Sequence, residues 1–418
     1  VILDFIGNYN NNFMIPVALS GDRSYNADTI RKYVISGNRT IPGASTIHFD
    51  EVAKNKIFHS IDRIRGIKSI IRESYISLKN RLGRTPRLYD FYSNNEVDPL
   101  VIIREYKTYY GFLESMEKAN YCCTLTEQEK LILEYLSKTI LSGVRPEELE
   151  ILQLLLRQNA ISIETFQKLY QEKYRKNIME DQVNCALEVL QGKFVSNEKE
   201  YQKYETIDMI SCDQTSRITR VSKYGELLRN VEFRSQVEDI IKVGLARYHD
   251  KFMNTNEVVS PFVLYEKYSR RDVSLLMNCG KDLSSVMFGM KRIQEDVFIF
   301  VTYHKEKAED ERNYVDGKPD YADVFEDNMI FKWDSKIGMG MESTYMKDVI
   351  TAPRKHLFVK KSDAESNFYY MGTFDIIDVK EARKEDNKGK LKPISKVVAK
   401  MHHPVRDDLL CYLQSNIE

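Results

Sequence analysis

Trp333, Asp334 and Ser335 stand side by side at the end of the run MIFKWDS, and no other stretch of this 418-residue chain is so well suited to holding a flat heterocycle. A planar base is gripped by stacking on aromatic rings and is told from its relatives by hydrogen bonds to its edge. Trp333 and Tyr303 supply rings. Asp334, Asp323 or Ser335 could bond the edge, and Tyr321 and Phe325 add rings close by in sequence. The same residue types also build an ordinary core, with Trp333, Phe331 and Phe325 as packing and Tyr303 as a buried tyrosine whose hydroxyl is satisfied. The residues alone leave both readings open.

Such side chains need rigid supports. VFIFVTY at 297–303 is an unbroken apolar, β-branched and aromatic run, which predicts a strand covered on both faces. Met329, Phe331 and Trp333 alternate with Lys332, which predicts a second strand with one buried face. Between the two, residues 306–327 form a long polar connection with nine acids and three bases. Long loops on rigid strands tend to carry function. This one would repel phosphates unless it faces away or its acids read base amines in a groove. Phosphate contacts are expected instead from Lys332, Lys336, Arg354, Lys355, Lys360 and Lys361, and from the basic loop 384–392. Arg270 and Arg271, in the run SRRD at 269–272, could hold a phosphate bidentately or pair with nearby carboxylates.

The runs FVTYHK, YADVF, FKWDS, LFVKKSD and FYYMG resemble the C-terminal domain of the SauUSI-like Type IV restriction enzymes, where a phospholipase-D-like nuclease and a helicase precede it. The opening run VILDFIGNYNNNFMIPVALSGDRSY is similar to the end of that family's helicase module, and SRRD resembles its domain-entry motif. The resemblance therefore reaches both ends of the chain. It implies an SRA-like reader in the last third, part of a phage-defence restriction system. Such a reader flips 5-methylcytosine, or 5-hydroxymethylcytosine, out of double-stranded DNA. The W-x-S run of the family maps onto Trp333, Asp334 and Ser335, and YADVF onto Tyr321 to Phe325; the roles within those runs are our own assignment. The resemblance further implies that ATP and magnesium serve the parent's helicase module and that its nuclease and helicase are partners. The ATP-touching arginine of that module would lie upstream of Val1. The chain also lacks G-x-x-x-x-G-K-[ST], so no cofactor and no ATP hydrolysis are expected of this stretch.

In chain order, residues 1–50 read as the tail of a RecA-like lobe, 51–250 as a helical coupler domain and 251–418 as the SRA-like domain. The fold class is α+β, with the last domain a curled, barrel-like sheet. Strands are predicted at 297–303, 329–334, 356–360, 367–378 and 394–402, with a bend or bulge at Gly372 and a closing helix at Asp407–Gln414. Pro261–Tyr268 and Arg271–Asn278 read as short helices. In the middle, helices are expected at 126–141, with Thr126 and Glu129 as a capping box, and at 146–156, 162–174 and 179–190. A hairpin around Phe194-Val195 and Ile207–Ile210 would complete a winged helix, with Lys168, Lys173, Arg175 and Lys176 as its basic residues. Mechanical coupling fits this acid-rich module better than DNA contact. The amphipathic stretch 234–247 would suit a homodimer face.

Bulk composition adds limits. Lys and Arg total 62, Asp and Glu total 62, so no global charge draws the chain to DNA and any binding must be local. Six cysteines without a C-x-x-C pair fit free thiols in a cytoplasmic setting. No run of 18 apolar residues exists to span a membrane. The opening VILDFIGN lacks the basic lead of a signal peptide and starts without methionine, which reads as a piece of a longer protein. Nothing resembles G-x-S-x-G, H-x-K or a metal-ligand cluster, and His402-His403 would point to opposite faces of a strand. No catalytic residue is expected, and His304 reads as structural or as a polar base contact. The alternative function is a helical adaptor whose small β-domain binds protein. Trp333→Ala is expected to abolish a methyl preference while sparing non-specific binding.

Overall fold

The computed structural model describes residues 16–17, 27–36, 57, 66–255, 258–259, 261–304, 314–315, 318–319, 323–363, 365–386 and 389–415. Most of the expected lobe tail at 1–50, and Tyr321, lie outside them. Two compact units emerge. One comprises Val1–Ile30, Glu51–Thr255 and Ser274–Asp282, and the other Arg31–Asp50, Asn256–Val273 and Leu283–Glu418. The architecture is α+β, with a largely helical first unit and a mixed sheet in the second.

The helices in chain order are α1 (Ala27–Ser36), α2 (Ile67–Leu82), α3 (Leu88–Ser93), α4 (Pro99–Tyr106), α5 (Tyr109–Glu117), α6 (Glu127–Thr139), α7 (Glu147–Arg157), α8 (Ile163–Tyr174), α9 (Glu180–Leu190), α10 (Glu198–Tyr204), α11 (Ser222–Leu227) and α12 (Val231–Tyr248). Local chemistry sets their ends. Thr126 accepts from the Glu129 amide at 3.2 Å while Glu129 accepts from the Thr126 amide at 2.7 Å, closing the predicted capping box. Asp98 caps α4, whose first residue is Pro99. Ser162 caps α8.

α7, α8 and α9 stand with a three-stranded sheet of β1 (Ala160–Ser162), β2 (Ile210–Cys212) and β3 (Arg217–Arg220), ordered β1-β3-β2, the number of helices and strands expected of a winged helix. The expected strand at 194–195 is absent, the hairpin lies further on at 210–220, and α10 fills the gap. Two of its four basic residues are committed locally, Lys168 to Glu164 at 2.7 Å and Lys173 to Glu150 at 2.6 Å, and Arg175 and Lys176 are exposed. α9, the helix such modules lay in a DNA groove, opens on Glu180 and Asp181. That charge disfavours phosphate contact.

Inside α12, Asp239 is buried and accepts from the Leu88 amide at 3.1 Å, holding the start of α3. Its Oδ1 has no hydrogen-bond partner among the described residues. Burial raises its pKa to about 6. The folded state therefore holds this proton more tightly than the unfolded chain does. Stability falls as pH rises from the ordinary aspartate value to about 6. Asp239→Asn keeps the acceptor for Leu88 and removes the charge. We expect it to gain on the order of 1–3 kcal/mol at pH 7 in urea denaturation, and to flatten that pH slope.

The second unit holds β4 (Val258–Val259), β5 (Phe262–Val263), β6 (Lys267–Tyr268), β7 (Met290–Ile293), β8 (Asp296–His304), β9 (Tyr314–Val315), β10 (Lys318–Pro319), β11 (Val324–Phe325), β12 (Ile330–Asp334), β13 (Arg354–Ser362), β14 (Phe368–Glu385) and β15 (Leu391–Met401). Helices α14 (Thr344–Thr351) and α15 (Asp407–Gln414) accompany them, and α13 (Arg270–Leu276) begins in this unit and ends in the first. All five predicted strands are present. The Pro261–Tyr268 helix is not: the Tyr265 amide bonds the Tyr370 carbonyl at 2.7 Å and β6 pairs β14, so cross-chain pairing draws this stretch into the sheet.

The sheet runs β11-β12-β15-β14-β13-β8-β7. Among the described residues it stays open, which corrects the expected barrel. Its end strands span only two and four residues, and no ladder joins them. β8 and β13 are parallel inside an otherwise antiparallel sheet. β14 pairs β13 with its first residues and β15 with the rest. The bend comes at Gly372, φ +97°, opposite a bulge at Leu357/Phe358, where a Cβ would lie 3.0 Å from Leu264. One face of the central strands packs Val297, Ile299, Val301, Leu357, Val359 and Met371 into the main core. On the other, Phe262 meets Phe298, Phe358 and Tyr370 at ring distances of 5.0–6.0 Å. There His356 Nε2 lies 2.8 Å from Asp296 and Nδ1 lies 2.9 Å from the Tyr370 hydroxyl. A neutral imidazole satisfies both bonds, and burial lowers its pKa accordingly.

Candidate nucleic-acid interface

β12 delivers the candidate residues to one end of the sheet. Its burial alternates, with Phe331 and Trp333 turned inward and Lys332 and Asp334 outward. Trp333 is 7% exposed and belongs to the main core with Tyr303 and Phe325. The Tyr303 hydroxyl accepts from the Phe325 amide at 3.3 Å, and the two rings lie 6.5 Å apart and nearly parallel. Burial raises the Tyr303 pKa. Ser335 donates to the Met339 carbonyl at 2.6 Å and accepts from the Ser395 amide at 2.8 Å, so its hydroxyl is used in tying two chain segments together. Asp323 is buried and accepts from the Asp334 amide at 3.0 Å, which fixes the end of β12. Tyr303 and Phe325 thus pack where the core reading put them, and the Ser335 hydroxyl is taken up by backbone groups.

Tyr345 is the residue sequence reasoning missed. It sits in the first turn of α14, behind the Ser343 cap, and its ring lies 6.2 Å from that of Trp333 at 33°. Its hydroxyl is buried with no hydrogen-bond partner among the described residues. Burial first, and then the charge of Asp323, push its pKa up. Gly289, φ +79°, completes the corner: a Cβ there would come 2.7 Å from Lys336 Cε and 3.4 Å from the Tyr345 hydroxyl. The corner therefore gathers an aromatic pair, a carboxylate and a cation around a phenol that lacks a partner.

Beside it, the half-buried Arg270 guanidinium lies over the rings of Phe288, Phe300 and Phe368 at 5.1, 5.4 and 5.0 Å. Phe288 is 56% exposed. Burial, and then the charge of Arg270, lower the pKa of the exposed Lys336. In the SRRD run the acid has its own task. Asp272 accepts from both the amide and the hydroxyl of Ser269 at 2.8 Å, capping α13, and Arg271 is half-buried in that first turn.

The structure turns two expected phosphate contacts inward. Lys355 and Lys361 are buried, and their ammonium groups reach the Ala352 carbonyl and the Ser415 hydroxyl, each at 2.6 Å. Both lie on β13, which is covered on both faces, so a long side chain there finds solvent only by leaving the sheet. Lys360 donates to the Glu365 carbonyl at 2.9 Å. Lys332 pairs with Glu326, and Arg354, largely exposed, with Asp296 at 2.7 Å. His304 lies 2.7 Å from the Leu413 carbonyl, an anchor for α15. No helix among the described residues is long and apolar enough to cross a membrane.

Residues 262–413 match the model of a domain of unknown function, DUF3427, and residues 71–250 that of another, DUF8090. Among solved structures, the chain is similar to the sulfur binding domain and SRA domain of ScoMcrA complexed with phosphorothioated DNA. The identity is 13%, the match covers 65% of this chain and 90% of that one, and the TM-score is 0.23. At that superposition the likeness carries no argument about fold or ligand. No curated protein sequence matches.

Proposed function

We propose that the second unit is a reader of modified bases in double-stranded DNA, with 5-methylcytosine as its ligand. The observation that carries this reading is the Tyr345 hydroxyl, buried without a hydrogen-bond partner among the described residues, on a ring 6.2 Å from that of Trp333 and within reach of the Asp323 charge. It is supported by the resemblance of the runs around Trp333 to readers of that class. On this reading the base leaves the duplex and lies against Trp333, and Tyr345 swings on the first turn of α14 to cover it. Asp323 accepts from the exocyclic amine, which excludes thymine. Tyr345 bonds the base edge. Arg270 and Lys336 meet phosphates, and Phe288 stands at the rim where an apolar wedge would fill the stack.

The magnitude follows from one methyl group. Burying it is worth roughly 0.8 kcal/mol, about fourfold in affinity. In a gel shift with matched duplexes, the full chain is expected to prefer the methylated one by about this factor or more. Tyr345→Phe keeps the ring and removes one hydrogen bond, so it should lower the methylated affinity by about 3–10-fold. Salt-sensitive binding to unmodified DNA should stay unchanged. Equal binding of both duplexes by the wild type would overturn the reading. Binding of neither would favour the protein-binding adaptor.

A further inference from the structure

β14 and β15 run on together past the rest of the sheet as a two-stranded ribbon, paired in register out to Glu385 and Leu391. Side chains alternate along it. Val379 and Val397 face the core. By the same alternation Lys380 and Lys384 on β14 and Lys392, Lys396 and Lys400 on β15 share the opposite face, with Ala382 and the buried Ile394 between the two lysine pairs. The register sets Lys380 directly against Lys396 and Lys384 directly against Lys392. On the next strand, Lys332 and Asp334 of β12 stand against Val398 and Lys396 on the same face. Lys380, Lys384, Lys396 and Lys400 are exposed, and Lys392 is half-buried. Acids stand among them: Asp334 lies directly opposite Lys396, Asp378 pairs with Lys380 at 3.0 Å, Asp375 with His402 at 3.0 Å and Glu326 with Lys332, while Glu381 and Glu385 alternate onto the other face of the ribbon.

Like charges directly opposite each other weaken a strand pair. This ribbon has two such pairs in a chain whose formal net charge is zero. Lysines four residues apart along a strand recur every ~13 Å. A column of paired cations at that spacing is suited to a regular polyanion, whose phosphates relieve the repulsion that the pairing creates. We propose that this lysine face is a docking surface for the backbone of duplex DNA, supplying affinity without sequence or modification preference. It rests on the reader hypothesis only for the identity of the polyanion.

The test is the salt dependence of binding by the full chain to an unmodified duplex, read by fluorescence anisotropy. Each phosphate neutralised contributes about 0.9 to the slope of log affinity against log salt. The variant Lys380→Gln, Lys384→Gln, Lys392→Gln, Lys396→Gln should flatten that slope by about 3–4 and keep the wild-type melting temperature or exceed it. The matching Lys→Arg variant should retain the slope. The affinity ratio between methylated and unmodified duplexes should be the same in all three. An unchanged slope in the Gln variant overturns the proposal, as does an equal loss in the Arg variant. If the wild type shows no methyl preference yet the slope still falls with the lysines, the reader hypothesis fails and the docking surface stands. If the preference is intact and the slope does not move, the docking surface alone fails.

Discussion

Arg145→Met should lower the stability of the first unit by about 3–5 kcal/mol, the largest loss expected from a single substitution in it. Arg145 is buried, and Glu148 meets its guanidinium through both carboxylate oxygens. Its remaining donors reach the Leu275 carbonyl at 3.0 Å and the Asn278 side chain at 2.6 Å, which closes the 274–282 segment onto this unit. Glu147 lies 3.8 Å away, accepts from the Tyr170 hydroxyl at 3.0 Å, and has its pKa raised by burial to about 7. Removing the arginine leaves two buried carboxylates facing each other without a cation. The cost is that of uncompensated charge rather than of a lost bond. Chemical denaturation should therefore show the double variant Arg145→Met, Glu148→Gln to be more stable than Arg145→Met alone. If the single variant unfolds like the wild type, the network does not hold the segment.

Trp333→Ala comes next, and here the structure changes what the substitution tests. Trp333 packs in the main core on Phe331's side of β12, with Val397 opposite it in the neighbouring strand. Truncating a buried tryptophan costs about 3–5 kcal/mol, because the surrounding side chains close the cavity only in part. Loss of DNA binding in that variant would report unfolding as readily as a lost pocket wall, and the spared non-specific binding expected from sequence requires a fold that survives. Thermal denaturation should show a large fall in the melting temperature of the second unit. An unchanged melting temperature would mean that Trp333 is not the core residue its burial indicates. The base contact is better tested at Tyr345, where Phe preserves the packing.

Much of this architecture could be read in the amino-acid order. The run at 297–303 and the alternation at 329–333 marked β8 and β12 because covered strands and half-covered strands leave different periodicities. Thr126 with Glu129 marked a helix start because capping is local. The features that escaped are those decided by distant partners. β2 and β3 are short and polar, and they form because β1, some fifty residues earlier, supplies a third strand. Phe262 to Tyr268 shows helical spacing, yet β14 captures its backbone. The parallel pairing of β8 with β13 has no local signature.

The site was legible only in part for the same reason. Trp333 and Asp323 could be singled out from residue type, and both stand at the corner described above. Tyr345 could not, because in ESTYMKD it reads as one more residue in a capped helix. Only the fold carries its hydroxyl to Gly289 and brings the Asp323 charge near it. Lys355 and Lys361 read as surface cations, and burial on β13 turned them inward. The opposed lysines of the ribbon needed the strand register before they could be seen as pairs.

The most direct measurement is a crystal structure of the full chain bound to a duplex carrying one 5-methylcytosine. The account predicts that base out of the stack, its face against Trp333, its amine within hydrogen-bond reach of Asp323, and the Tyr345 hydroxyl on its edge. A methylated base still stacked in its helix, or seated away from the end of β12, would contradict it.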